Sequence, residues 1–491
     1  MYRILALFLM MLVTFDMSAT YRYRLYLNGK PESELCHFSD RALSRREAQR
    51  IECDSTDYVV SPVYISALQQ SGLKVVVTSR WLNTVVVGMP DGEAVEDEVW
   101  SQFDFLDSVV CVSTDADQIR KPKKKDWVTD ASVASLSVVD NYMRPHKELK
   151  VTSLYDAGYK GQGKLIAVLD GGFLGADKQP SINKNLIGVC DMFEPTDSVY
   201  IFEEEEHGTH CLSVMSSDGS LKLLGSAPEA EYFLIRTECS QSETLLEEDM
   251  WVAGAELADS IGADLINSSL GYMTFDDPEQ DHLHDELAKD VVFISRGAQI
   301  AASKGMLVCV AAGNERQTDW RAINFPADAR DVLAVGALTK DLVPSAFTSP
   351  GFLSPYVKPD VACRGTNAFV LDPYSGNPAV GSGTSYATPL MCGACASLWS
   401  AVPTLTAMEV VDIVRKSAHN YDNPDILSGY GLPDFEVALE LAKQVSCIEQ
   451  IEENRGENSF VGTYGLSGLK LNKGALPGFF VQDGKLYFIC K

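Results

Sequence analysis

Basic side chains are scarce in this sequence. The 491-residue chain carries 41 Lys and Arg against 68 Asp and Glu, a formal net charge of -27. Such a surface repels phosphate backbones and anionic lipid, which excludes nucleic acid as a partner. Long apolar runs are also lacking. The N-terminal stretch MYRILALFLMMLVTFDMSATYRYR holds an apolar run of roughly ten residues, below the ~18 to 20 that a membrane helix needs. One Arg precedes the run and Ser18-Ala19-Thr20 follows it, so residues 1–19 read as a secretory signal peptide cleaved near Ala19. No later segment supplies a transmembrane helix, and no long internal repeat is present.

What is present is ordinary globular composition, with 46% hydrophobic and 22% charged residues, in a chain long enough for a large core plus accessory segments. Export permits its 12 cysteines to pair, and the count fixes no pairing. Cys392 and Cys395 have the CxxC spacing of redox and zinc sites. They lie in the small, apolar segment MCGAC, which reads as a buried helix, so they are read as structural thiols.

Residues 20–118 form one unit. YRYRLYL alternates like a strand, DRALSRREAQRI reads as an exposed helix, a second helix leads into two β-rich runs, GEAVEDEVWSQF reads as a helix and DSVVCVS as a last strand. This predicts a small α+β domain. Residues 119–145 form a basic linker, with RKPKKKD near its start, solvated and open to proteases. From 146 to 445 near-continuous apolar runs alternate with helical ones: KLIAVLD, EYFLIRT, ADLINSSLG, MLVCVAAGN, VLAVGAL, KPDVACRG. Continuous rather than alternating apolar strands are buried on both faces. The expected fold is α/β, a doubly wound, mostly parallel sheet with helices on both faces. In such a sheet the site lies beyond the carboxyl ends of the strands. Residues 446–491 carry glycine turns and alternating aromatics, and read as a short β-rich tail.

Four strand-end motifs carry chemistry: Asp170 in VLDGG, His207 in EEHGTH, Asn314 in AAGNE and Ser385 in GSGTSYATP. Separately these are a turn Asp, a loop His, a tight turn and a helix N-cap. Together they supply what a serine nucleophile needs. An imidazole takes the hydroxyl proton, a buried carboxylate fixes the imidazole, and preset donors receive the oxyanion.

In the order Asp, His, Ser on a parallel sheet, the segments VLDGGF, HGTH, NSSLG, VAAGNE, FPA, KPDV, GTSYATPLMCG and GYGLPDFEVAL resemble the subtilisin-like serine proteases over roughly residues 150–445. The resemblance implies a triad of Asp170, His207 and Ser385, and an oxyanion hole built from Asn314 and the Ser385 backbone N–H. It implies that Ser268, Ser269, Leu270, Gly271 and Ala311, Ala312, Gly313 pair with a peptide substrate, with Asn324 and Phe325 at the rim of the first specificity pocket. It implies an endopeptidase, a monomer acting on protein or peptide substrates, that needs no cofactor for chemistry and carries structural Ca2+ in many relatives; spacing marks no calcium loop here. Residues 20–118 resemble the propeptide of exported bacterial relatives, an intramolecular partner released by cleavage within 112–145. The tail resembles C-terminal secretion-sorting segments of Bacteroidetes-type bacteria. The protein is then secreted or at the cell surface, in the periplasm or outside a Gram-negative cell. One departure is Gly171, where the family often has Ser or Thr, which removes a hydrogen bond near Asp170.

Two other readings compete. His207 and His210 at i, i+3 suggest a zinc hydrolase, but HGTH is not HExxH and zinc wants three or four ligands. A pseudoprotease that only binds peptides would lack a complete triad. The run Glu203 to Glu206 directly before His207 reads as a solvated face that raises the pKa of the imidazole.

Overall fold

The computed structural model describes residues 21–90, 93–114, 142–193, 198–201, 206–240 and 242–445, and the backbone of 463–465, 478–482 and 485–489. The signal peptide, most of the linker, Glu203 to Glu205 and most of the tail lie outside the described residues.

The N-terminal unit is an antiparallel sheet ordered β2-β3-β1-β4, from β1 (Arg22–Leu27), β2 (Lys74–Ser79), β3 (Thr84–Gly88) and β4 (Leu106–Ser113). Two helices, Asp40–Ala48 and Pro62–Gln70, accompany it, and GEAVEDEVWSQF shrinks to the single turn Asp97–Trp100. Strand alternation explains how it sits. Leu25, Leu27, Val85 and Val87 fill the unit's own core, while Val86, Val112 and Val110 face the large unit. That leaves β3 buried along its whole length.

The large unit is a seven-stranded sheet ordered β11-β10-β9-β8-β5-β7-β6, and every strand pair is parallel. Its strands are β5 (Leu165–Asp170), β6 (Leu186–Asp191), β7 (Glu231–Arg236), β8 (Leu265–Ser268), β9 (Leu307–Ala311), β10 (Leu333–Leu338) and β11 (Val361–Arg364). Side chains of β5 alternate between two cores. Ile166 and Val168 pack with helices His207–Ser216 and Thr384–Ala401, and Leu165, Ala167 and Leu169 with helices Leu246–Ile261 and Phe293–Ser303. The chain leaves β5 toward β7 and β6, then returns to β8 on the other side. The strand order reverses between β5 and β8, where open α/β sheets form their ligand crevice. A short hairpin, β12 (Ala368–Leu371) with β13 (Pro378–Gly381), precedes the helix that begins at Thr384. The tail holds an antiparallel trio, β14 (Thr463–Gly465), β15 (Gly478–Gln482) and β16 (Lys485–Ile489).

Candidate active site

Asp170 ends β5 at the switch point and is almost fully buried. The Gly171 backbone N–H donates to Asp170 Oδ1 at 2.9 Å, a bond that any residue but proline makes there, so glycine omits only the side-chain hydroxyl. The loop is held from below by Arg236, whose Nε donates to Gly171 O at 2.8 Å while its guanidinium pairs with buried Asp191 at 3.1 Å.

His207 is the first residue of helix His207–Ser216, and its Nδ1 lies 2.9 Å from Asp170 Oδ1 and 3.1 Å from Oδ2. The next position has to be glycine. A Cβ on Gly208 would lie 2.3 Å from Gly172 O, so the helix start rests directly on the Asp170 loop. His210 turns away into the interior, where burial pushes its pKa down to about 4. It belongs to no convergent group of three metal-binding side chains among the described residues, so the zinc pairing with His207 finds no support.

Ser385 is the second residue of helix Thr384–Ala401. Pro389, four residues on, has no N–H to return to the Ser385 carbonyl. That freed carbonyl accepts instead from Ser269 Oγ at 2.8 Å and from Cys211 Sγ at 3.4 Å. The helix start is thereby tied to the end of β8 and to the His207 helix. Ser385 Oγ donates to Ser269 O at 3.3 Å. Cys211, one turn beyond His207, bridges the two elements, its Sγ 3.9 Å from both ring nitrogens.

Asn314 follows β9. Its Oδ1 accepts from the Thr384 N–H at 2.9 Å and from Thr384 Oγ1 at 3.1 Å. A backbone N–H is only a donor, so this contact fixes which way the amide points and leaves Nδ2 to donate elsewhere. Segments 268–271 and 311–313 continue the adjacent strands β8 and β9 beside Ser385. Asn324 and Phe325 are both buried, deeper than a rim: Phe325 N–H donates to Tyr272 O at 3.1 Å and Asn324 N–H to Ala312 O at 3.1 Å.

Asp170, His207 and Cys211 are the group of three His, Cys, Asp or Glu side chains that converge among the described residues. Calcium wants six to eight hard oxygens, so an imidazole and a thiol do not suit it. The thiol is equidistant from the two ring nitrogens, in line with neither in-plane lone pair, and burial raises its pKa. Cys392 and Cys395 are fully buried and unpaired in the Thr384–Ala401 helix. Sequence reasoning passed over Cys211, Ser269 as a tether, Thr384 and Pro389; the i+4 spacings from His207 to Cys211 and from Ser385 to Pro389 were the available signals.

Residues 161–432 match the subtilase family, and residues 22–129 match the peptidase S8 propeptide domain of Bacteroidota. The chain is 27% identical over 350 residues to Subtilisin E of Bacillus subtilis (strain 168), covering 70% of this chain and 83% of that protein. It is 27% identical over 296 residues to Subtilisin of Bacillus pumilus, covering 60% of this chain and 97% of that one. Its fold is similar to that of fervidolysin from Fervidobacterium pennivorans, a keratinolytic enzyme related to subtilisin, with a TM-score of 0.58 and 16% identity across 87% of this chain and 62% of that one.

Proposed function

The chain belongs to the subtilase family and is a subtilisin-like serine endopeptidase with an N-terminal propeptide domain, and on that premise we propose that Asp170, His207 and Ser385 are its triad and that it works by an acyl-enzyme route outside the cytoplasm. The observation that carries the assignment is the His207 Nδ1 to Asp170 Oδ1 contact of 2.9 Å at the switch point, with Ser385 tethered alongside through Cys211 and Ser269.

Buried Asp170 keeps the proton on Nδ1, which makes Nε2 the nitrogen that accepts the Ser385 proton. Ser385 Oγ turns from Ser269 O to attack the scissile carbonyl. The oxyanion is received by Asn314 Nδ2, aimed by Thr384, and by the Ser385 N–H at the helix start. His207 then gives the proton to the leaving amine; water takes the place of the amine, yields a proton to His207 and attacks the acyl carbonyl, and His207 passes that proton to Ser385 Oγ as the acid departs. Segments Ser268–Gly271 and Ala311–Gly313 hold the substrate main chain by strand addition.

Residues 20–118 act as the propeptide, docked on helices Leu246–Ile261 and Phe293–Ser303, and cleavage within 112–145 releases them. The N-terminal signal at residues 1–19 supports export, and among the described residues no helix is long and apolar enough to cross a membrane.

A fluorophosphonate probe tests the triad. It labels the enzyme, labelling is lost in Ser385→Ala, and a chelator leaves it intact. A chelator that abolishes peptide cleavage with the fold retained, or labelling that survives Ser385→Ala, overturns the assignment. Mass spectrometry tests the maturation: an active enzyme whose N-terminus stays near Thr20 rules out release.

A further inference from the structure

Three charged residues close adjacent strands in one row of the large sheet. Asp170 ends β5, Arg236 ends β7 and Asp191 ends β6, and the register pairs Asp170 with Arg236 and Arg236 with Asp191. Val168 and Leu234, two residues back, both pack in the core under the His207 helix, so Asp170 and Arg236 leave the sheet on that same side. Neighbouring strands lie about 4.8 Å apart, so the guanidinium starts out flanked by two carboxylates. It turns to Asp191, with Nη1 3.1 Å from Oδ2 and 3.3 Å from Oδ1, and all three side chains are buried. Asp191 is fixed in turn by the Phe193 N–H, which donates to Oδ1 at 2.9 Å. Arg236 Nε donates to Gly171 O at 2.8 Å, the carbonyl next after the catalytic Asp.

Both contacts bear on what Asp170 can do. The bond to Gly171 O holds the main chain that orients the carboxylate, whose Oδ1 also accepts the Gly171 N–H. The pair with Asp191 settles where the positive charge sits. A guanidinium stays charged at any working pH and makes two-point pairs with carboxylates. Turned to Asp170, it would compete with the imidazole, and a carboxylate already paired in that way stabilises an imidazolium less. Asp170 instead keeps His207 Nδ1 at 2.9 and 3.1 Å.

We propose that Arg236 and Asp191 are positioning residues for this protease: Arg236 fixes the Asp170 loop through the Gly171 carbonyl, and Asp191 holds the guanidinium away from the Asp170 carboxylate so that it serves His207 alone. The proposal rests on the reading of Asp170, His207 and Ser385 as the triad.

The test is steady-state kinetics and the kcat/KM–pH profile of the mature enzyme on one peptide substrate. Arg236→Lys keeps a charge for Asp191 and removes the Nε donor, so kcat should fall by about three- to tenfold with KM and the acid limb unchanged. Asp191→Asn with Arg236→Met removes both charges together; the fold should survive, the acid limb should stay in place, and kcat should fall by a similar amount. Asp191→Asn alone releases the guanidinium toward Asp170. Its kcat should drop about tenfold below that of the double variant, and its acid limb should move to lower pH. The His207 Nδ1 proton, read far downfield by proton NMR, should move in Asp191→Asn and stay in the double variant, a pattern that a merely structural pair does not give. Glu206, His210 and Cys211 of the His207 helix, Tyr386 of helix Thr384–Ala401 and Asp372 after β12 also bear on these imidazoles, and all are the same in every variant. Parental kcat in both Arg236→Lys and the double variant overturns the proposal, as does an Asp191→Asn enzyme no slower than the double variant. Should Asp191→Asn not fold, the double variant decides: a reduced kcat at parental KM supports the hold on Gly171, and a parental kcat overturns it. Fluorophosphonate labelling that survives Ser385→Ala defeats the triad reading itself. A labelled enzyme whose kcat ignores the pair defeats only this inference.

Discussion

Arg24 of β1 and Asp249 of helix Leu246–Ile261 meet between the two units in a two-point ion pair: Arg24 Nε and Nη2 each donate to one Asp249 oxygen at 2.7 Å, and both side chains are buried. The guanidinium also donates to Leu245 O at 3.1 Å and lies 3.6 Å from the centre of the Phe293 ring. Three more arginines of the N-terminal unit reach the same helix. Arg45, Arg46 and Arg80 converge on Asp259, and Arg80 also binds Glu256. Removing one partner of a buried pair leaves an uncompensated charge, which costs about 3 to 5 kcal/mol. In a Ser385→Ala background, which prevents self-cleavage, Arg24→Ala should lower the unfolding free energy by that much, read from denaturant titration. A change under about 1 kcal/mol would mean that the Arg24–Asp249 pair adds little to docking, which would then rest on apolar contact and the pairs of Arg45, Arg46 and Arg80.

Thr384 holds Asn314 by two donors to one oxygen, and only one of them is a side chain. Asn314→Ala removes the donor itself and should lower kcat by about 100- to 1000-fold with KM little changed. Thr384→Val removes Oγ1 and keeps the backbone N–H, so its loss should be smaller and again fall on kcat. Steady-state kinetics of both variants check this. Equal losses would give Thr384 a separate part in the reaction, and a loss confined to KM would place Asn314 in substrate binding.

The range of each interaction decides how far it can be read from sequence. The strands β5, β7, β8, β9, β10 and β11 are apolar runs ending in a polar or glycine motif, a local pattern, and each is legible as a strand. Strand β6 is not: it is an edge strand, half exposed, with Ile187 outward and Gly188 packed on Phe233, so its sequence has neither the continuous nor the alternating signature. The Arg24–Asp249 pair spans 225 positions, and nothing in RYRLYL indicates which carboxylate its arginine will meet. Asn324 stands directly before the FPA segment, but its depth comes from the chain folding back onto Ala312 and Tyr272 after β9. The link through Pro389 is local, since proline at i+4 always frees a helix carbonyl. What Ser385 O then accepts from depends on β8 and the His207 helix, which only the fold brings together.

Glu206 directly precedes the His207 helix, and three more glutamates precede it in sequence. Negative charge favours the imidazolium and raises the pKa of the base. Replacing Glu203 to Glu206 by Gln should shift the rising limb of the kcat/KM–pH profile to lower pH, on the order of half a unit at low salt. At about 1 M salt, where the screening length is about 3 Å, variant and parent should coincide. Profiles at both ionic strengths decide it, and identical low-salt curves would make the run a hydrated loop with no electrostatic part in catalysis.

His146 gives the sharpest handle on acid stability. It lies in a largely apolar cavity with Tyr142, Val214, Leu223, Phe369, Tyr386 and Leu390. Burial lowers its pKa to about 4, offset only in part by the Tyr142 backbone, and His210 is held to about 4 in the same way. Both imidazoles are neutral in the folded state, while an unfolded histidine titrates near 6.5. The unfolded chain therefore takes up protons first. Stability is full above about pH 6.5 and falls until about pH 4, by up to about 3 kcal/mol for each histidine. His146→Phe fills the cavity with a ring that cannot be charged. It should leave stability at pH 7 nearly unchanged and flatten the decline between pH 6.5 and 4 by about half of what the two histidines contribute together. Denaturant titrations of the Ser385→Ala protein with and without the substitution measure this. Equal pH slopes would mean that His146 is already charged or already solvated in the folded protein.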